Sequence, residues 1–444
     1  MTTKNDKYLH MKFTRTFFLL LFVYSISFAQ TSEETSIAFI KKLERQKFDS
    51  CYAMFDTSMA NKFSVDMLQQ MWGSIPRYIG EYKSYSTVTT EKKDSLEYVY
   101  VRCEFEKTKM DLQLVYNSPP QKIIGMFFTQ PKSKTAYLTP DYAEQSKYYE
   151  TKIAVKTGTM SLPGALCVPN NMKNPPVVIL LAGSGPNDKD ETIGPNKALK
   201  DLAVGLASNG IATYRYDKRT LVYGKDMKDA TISTEVIDDA ISAVAIIKKN
   251  PDFKDSKIFI VGHSLGAMCA PLVASKCKQV NGIVMLAGNA RPLEDVVLEQ
   301  YNYIFGLDSL DVSEKKEILD YTQKMKIVKD PKLLKVAKTE DLPLSLESIY
   351  WQSLVKYNQV QVAKKVKQPI LVLQGERDYQ VTMTDFNLWK ENLNNNSKNQ
   401  FISYPALNHL FMKGEGKSTP AEYEKQGNVD KQIITDIANW VKSK

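Results

Sequence analysis

Histidine is the scarcest reactive residue in this chain, with His10, His263 and His409 the only three among 444 positions. Cysteine is nearly as sparse. Cys51, Cys103, Cys167, Cys269 and Cys277 are an odd count, and none forms a C-x-x-C pair. No cluster of His, Cys and carboxylates has metal-ligand spacing, so no metal site is expected. A Cys51–Cys103 bridge stays open, while Cys269 and Cys277 read as core filler. Blocks of one charge are missing too. Lys and Arg number 59 against 50 Asp and Glu, a net charge of +9, and the extreme N-terminus supplies three of these through Lys4, Lys7, Lys12 and Arg15 against Asp6. The remainder is dispersed, which fits solubility and argues against nucleic-acid binding.

Long apolar runs are absent. The stretch 17–24 is too short to span a bilayer, but Lys12 and Arg15 precede it and Ser27-Phe28-Ala29 follows with small residues at −3 and −1. Residues 1–29 therefore read as a secretory signal peptide, placing the mature chain in a secreted or periplasmic setting without a stable membrane anchor. With 43% hydrophobic and 25% charged residues the rest is ordinary globular protein, long enough for two or three domains.

Residues 31–130 show apolar positions at helical spacing over 36–43 and 65–72. Apolar or alternating runs follow at 98–103, 112–116 and 123–128. Helices followed by strands predict a small α+β domain with an antiparallel sheet covered on one face. A polar, Pro-containing linker at 131–147 follows. From 148 to 444 a hairpin (148–155 with 162–169) leads into alternating strands and helices. Strands are expected at 177–181, 211–216, 257–261, 282–287, 370–373 and 401–404, and helices at 197–208, 235–249 and 386–393, with an amphipathic helix at the end. Continuous apolar strands alternating with helices predict a mostly parallel α/β sheet with helices on both faces. Residues 290–367 interrupt it with helical periodicity only, at 294–305, 313–327 and 346–356, and predict a cap over the carboxyl edge. Tyr301, Tyr303, Phe305, Tyr350 and Trp351 either line a substrate site there or form cap core.

The chemistry centres on Gly262-His-Ser264-Leu-Gly266, where an apolar strand runs through a tight turn into a helix. This pattern presents a serine at a strained strand-to-helix corner, with the Leu265 amide at the helix N-terminus available to an oxyanion. A serine nucleophile needs a base. His10 lies in the N-terminal segment and His263 is the spacer of the elbow, its side chain directed away from the Ser264 tip. His409, just past the last expected strand, remains. For the orienting carboxylate, Asp378 is the candidate and Glu376 the fallback, both following the strand at 370–373. The second oxyanion donor is expected from Ala182-Gly-Ser-Gly185, with the Ser184 amide first and Gly185 beside it.

Residues from about 145 onward resemble the bacterial α/β-hydrolase carboxylesterases of the branch that also holds serine aminopeptidases and dienelactone hydrolases. The resemblance rests on 183–188, Asp190-Glu191, 194–197, 216–219, 262–267, 375–378 and Asn408-His409. The order Ser264, Asp378, His409 is the order such a fold uses. The leading domain resembles the small cystatin- or nuclear-transport-factor-like modules ahead of some secreted hydrolases. Where that family usually has His before Gly183, this chain has Ala182. Asp188, Asp190, Arg215, Asp217 and Arg219 look like structural ties around the mouth. The resemblance implies hydrolysis of a small-molecule ester through an acyl-enzyme, without metal or cofactor. An amide or peptide substrate is the alternative, for which Glu294, Asp295 and Glu299 in the cap form a candidate carboxylate ring for an α-amine. Oligomeric state is not legible.

Overall fold

A computed structural model describes residues 31–93, 95–106, 108–117, 122–129, 131, 137–224, 227, 229–307 and 312–444. The expected signal peptide and the centre of the expected linker lie outside these residues. The chain forms two compact units, and the division does not fall at one point. Met71–Tyr85 and Arg102–Asp111 group with the segment from Phe128 onward.

The N-terminal part begins with helix Ser32–Glu44. Thr31 accepts the Glu34 amide and Glu34 reaches back to the Thr31 amide, a capping box. Helices Phe48–Tyr52, Thr57–Ala60 and Val65–Ile79 follow. A four-stranded sheet then runs in chain order through Tyr82–Lys93, Leu96–Phe105, Lys109–Asn117 and Ile123–Thr129. Connections this short force antiparallel neighbours. All five cysteines are buried and none is in a disulfide, so the Cys51–Cys103 bridge left open by the sequence is not formed. Burial pushes the Cys51 thiol up to about 12, which keeps it protonated and unreactive.

The second part is built on an eight-stranded sheet, numbered here in chain order: β1 (Tyr148–Lys152), β2 (Gly164–Pro169), β3 (Val177–Leu181), β4 (Ala212–Tyr216), β5 (Ile258–His263), β6 (Val280–Leu286), β7 (Ile370–Gly375) and β8 (Gln400–Tyr404). Their spatial order is 1-2-4-3-5-6-7-8. β1 and β2 are antiparallel to their neighbours and the others run parallel. The hairpin expected near 148–169 resolves into β1 paired with β2, plus a separate ribbon of Val155–Thr157 with Met160–Leu162.

β5 lies between β3 and β6, and every one of its residues is buried. Its side chains alternate between two cores. Ile258 and Ile260 face the core shared with helices Asp238–Lys249, Leu265–Lys276 and Met383–Leu393. Phe259 and Val261 face the core shared with helices Ala198–Ser208 and Lys431–Ser443. The last helix buries Ile433, Ile434, Ile437, Trp440 and Val441, and Trp440 meets Phe259 edge-on at 5.8 Å.

The cap leaves the sheet after β6. Helices Leu293–Phe305, Val312–Lys329 and Ser348–Lys356 match the expected periodicity, with short helices Pro331–Val336 and Gln359–Ala363 in addition. Trp351 is fully buried, with its indole N–H donating to the Pro343 carbonyl, so it is cap core.

Candidate active site

Ser264 closes β5 and opens helix Leu265–Lys276 with φ 52° and ψ −115°, a left-handed conformation rarely held by a residue with a side chain. Its amide donates to the Leu286 carbonyl (2.9 Å), and its carbonyl accepts from the Met268 amide (2.9 Å). From Ile258 to Pro271 it is the one residue not buried. The flanking glycines are required by contact. A Cβ on Gly262 would lie 2.2 Å from the Gly266 carbonyl oxygen, and one on Gly266 would lie 2.4 Å from the Leu181 oxygen.

The loop after β3 presses on this corner. A Cβ on Gly183 would sit 3.2 Å from Ser264 Cβ and 2.9 Å from Glu191 Oε1. Among the described residues neither the Ser184 amide nor the Leu265 amide has an acceptor. Gly185 follows at φ +89°. Ala182, where His is usual in the resembling family, is buried, and Glu191 anchors the loop by accepting the Gly183 amide at 2.6 Å.

The residues expected as acid and base, Asp378 and His409, lie together. His409 Nδ1 lies 2.7 Å from Asp378 Oδ2, with both residues buried. Asp378 Oδ1 accepts the amides of Gln380 (2.8 Å) and Val381 (3.0 Å), and Oδ2 also accepts from Gln374 Nε2 (3.0 Å). A carboxylate so surrounded by donors is an acceptor at every contact. His409 therefore donates from Nδ1, and Nε2 is the ring nitrogen that Asp378 leaves unengaged. Glu376, the fallback acid, is exposed and accepts from Ser403 Oγ. Asn408 shapes the histidine turn, its Oδ1 accepting the Leu410 and Met412 amides. Its Nδ2 donates to Glu422, the partner of Arg377 from the acid loop.

His263 is more than the spacer the sequence suggests. Its Nδ1 is 2.9 Å from Glu191 Oε1 and its Nε2 is 2.9 Å from the His409 carbonyl. A carbonyl only accepts, so Nε2 carries a proton. Glu191 Oε1 also accepts the Gly183 amide, and an ionised carboxylate there calls for a proton on Nδ1 as well. Desolvation pulls the His263 pKa down, but the Glu191 charge and hydrogen bond outweigh it and the net direction is up. Burial likewise opposes ionisation of Glu191, and His263 overrides it, so that carboxyl is held below its usual range. This pair ties together the elbow, the Gly183 loop and the His409 turn, whose ring lies 4.7 Å from that of His263. The one signal available beforehand was the Asp190-Glu191 dipeptide behind the glycine loop.

The mouth residues read as ties are ties. Asp190 binds Arg215 and Lys197, Arg215 also binds Glu150, Asp217 binds Lys189, Arg219 binds Asp239, and Asp188 accepts from Thr192. The cap carboxylates do not assemble into a ring. Asp295 is paired with Lys329 and Glu299 with Arg291, while Glu294 is buried. Tyr301 bonds to Tyr321, and Tyr303 stacks on Tyr379 at 5.1 Å, next to Asp378.

A strained serine at the end of the central strand, under a sheet of this order, makes the chain an α/β-hydrolase with a helical cap and a small α+β module before it. Residues 196–416 match the family described as Serine aminopeptidase, S33, and residues 36–126 one described as Protein of unknown function (DUF3887). Over 426 residues the chain is 35% identical to Esterase EstD of Thermotoga maritima, across 96% of this chain and 99% of that one. The chain belongs to this esterase family. Among solved structures, Est1E from Butyrivibrio proteoclasticus aligns over 66% of this chain and 99% of its own, with TM-score 0.45 and 16% identity. The Pyrococcus furiosus esterase Pf2001 aligns over 70% and 96%, with TM-score 0.45 and 17% identity.

Proposed function

We propose that the protein hydrolyses carboxylic esters of small molecules through Ser264, His409 and Asp378. The observation that carries this reading is the commitment of His409 Nδ1 to Asp378, which reserves Nε2 as a base at the edge where Ser264 is presented. Ser264 Oγ attacks the acyl carbonyl while His409 takes its proton, and Asp378 holds the ring and stabilises the imidazolium. The Leu265 and Ser184 amides receive the oxyanion. His409 returns the proton to the leaving alcohol, and water, activated by the same nitrogen, releases the acyl group. The relative named an esterase supports an ester as substrate.

Ser264→Ala is expected to lower kcat on p-nitrophenyl butyrate by about 10^4-fold or more, with the fold intact by circular dichroism. Turnover at the wild-type rate would refute the mechanism. The family description Serine aminopeptidase favours a second reading, cleavage of an aminoacyl amide. Against it stand Asp295 and Glu299, already neutralised by Lys329 and Arg291. Higher kcat/KM on acyl esters than on aminoacyl anilides is expected. No helix among the described residues is long and apolar enough to cross a membrane. We propose export through residues 1–29, for which N-terminal sequencing of the mature protein should begin at Gln30.

A further inference from the structure

Lys218 is a buried cation outside the proposed catalytic machinery, yet it reaches the loop that faces Ser264. It follows β4, is 4% exposed, and its Nζ donates to the Gly183 carbonyl at 2.8 Å. Its charge is met by Glu235, equally buried, in the π-helical turn Ser233–Ile237. The other oxygen of Glu235 accepts the hydroxyl of Tyr350, from cap helix Ser348–Lys356. Ser353 of that same helix accepts the Ile232 amide at 3.1 Å, so the cap grips this turn twice.

Burying a Lys–Glu pair is poor value for stability, because desolvation offsets most of the attraction. Peptide geometry supplies a different role. The Gly183 carbonyl and the Ser184 N–H belong to one planar trans peptide and point in opposite directions. Asn187 Nδ2 also donates to the Gly183 carbonyl (3.1 Å) and to the Ser184 carbonyl (2.8 Å). Once Lys218 and Asn187 hold that oxygen, the Ser184 N–H is aimed the other way, and it has no acceptor among the described residues. A cation on the carbonyl also polarises the peptide and makes its N–H a stronger donor. Glu191 holds the preceding peptide through the Gly183 amide, so the loop is fixed on both sides.

We propose that Lys218 is a positioning residue for the oxyanion site, and that the Tyr350–Glu235–Lys218 chain makes the cap part of that site's support. The cap then sets the orientation of the Ser184 amide. This inference rests on the reading of Ser264 as nucleophile and the Ser184 amide as oxyanion donor.

The test uses the full chain. Lys218→Met alone would leave Glu235 charged and unpaired, so it is combined with Glu235→Gln; Tyr350→Phe is made separately. The double variant is expected to lose about 10- to 100-fold in kcat on p-nitrophenyl butyrate with KM within about twofold. Its affinity for an alkyl trifluoromethyl ketone, whose serine adduct carries the oxyanion, should fall in parallel. Tyr350→Phe, which keeps the charge pair, should show the same pattern at about two- to fivefold. A purely structural role would lower the melting temperature and leave kcat and ketone affinity unchanged in the folded fraction. That outcome, in the double variant or, should it not fold, in Tyr350→Phe, overturns the proposal. Ser264→Ala separates the two readings. If it still turns over, the nucleophile assignment fails. If it is dead while the Lys218 variants match wild type, the positioning role alone fails.

Discussion

At the scale of the residue, protons decide the argument. The His263–Glu191 pair predicts a window of stability. His263 has its pKa raised above the ordinary 6.5, so its contribution is complete below that value and is lost as pH rises through the folded pKa. Glu191 has its pKa lowered from 4.5, so its contribution is complete above that value and is lost as pH falls through the folded pKa. The pair therefore stabilises most between the two. Thermal melts of wild type and His263→Gln should differ most between about pH 4.5 and 6.5 and converge as pH rises through the folded pKa of His263. A gap that widens at alkaline pH would show that His263 is held neutral. Ser264, Asp378 and His409 stand out in the sequence as a proposed site because a serine at an elbow demands a base and few histidines are present. Glu191 does not, since a carboxylate in a glycine-rich loop has no periodicity, and its partner occupies a position that the elbow pattern leaves unspecified.

Elements were legible where burial is two-sided. β3, β5 and β7 are buried along their full lengths and β6 everywhere but Asn281, and their stretches 177–181, 258–262, 282–286 and 370–373 read as unbroken apolar runs. The short cap helices Pro331–Val336 and Gln359–Ala363 were not, because so few residues do not repeat a helical period. Nor does periodicity show how the cap is fastened. Asp385, fully buried in the first turn of helix Met383–Leu393, accepts the amides of Ala290 and Arg291 (both 2.9 Å) and pairs with the Arg291 guanidinium (2.7 Å). This clamp stands where the chain leaves the sheet for the cap. Asp385→Ala leaves the Arg291 guanidinium with Glu299 alone and takes the acceptor from the Ala290 and Arg291 amides, and is expected to destabilise the fold by about 2–4 kcal/mol. Urea titration followed by tryptophan fluorescence measures it, and a loss below about 1 kcal/mol would mean that the cap is anchored elsewhere.

For the whole molecule, the distribution of contacts implies where the chain can be cut. Every proposed site residue lies between Ser184 and His409, and the hydrogen-bond partners of Asp378, His409, His263 and Gly183 lie between Gly183 and Val381 or in the His409 turn itself. Residues 137–147, expected as linker, are tied to this part of the chain. Tyr137 donates to Asp201 (2.7 Å) and Tyr142 to the Val429 carbonyl (2.7 Å). Asp201 also accepts the Val429 amide, yet burial still pushes its carboxyl up to about 6. A raised carboxyl contributes its stability below the unfolded value and loses it as pH rises through the folded one, so this corner is already strained at neutral pH. A chain beginning at Tyr137 keeps both cores of the eight-stranded sheet and every proposed site residue, and is therefore expected to fold and to keep kcat on p-nitrophenyl butyrate within about threefold of the full chain. One beginning at Tyr148 loses Tyr137 and Tyr142 and should melt earlier, most visibly above pH 6, where Asp201 is ionised with one donor fewer. A folded 137–444 chain that lost more than about tenfold in kcat would show that the N-terminal module takes part in catalysis.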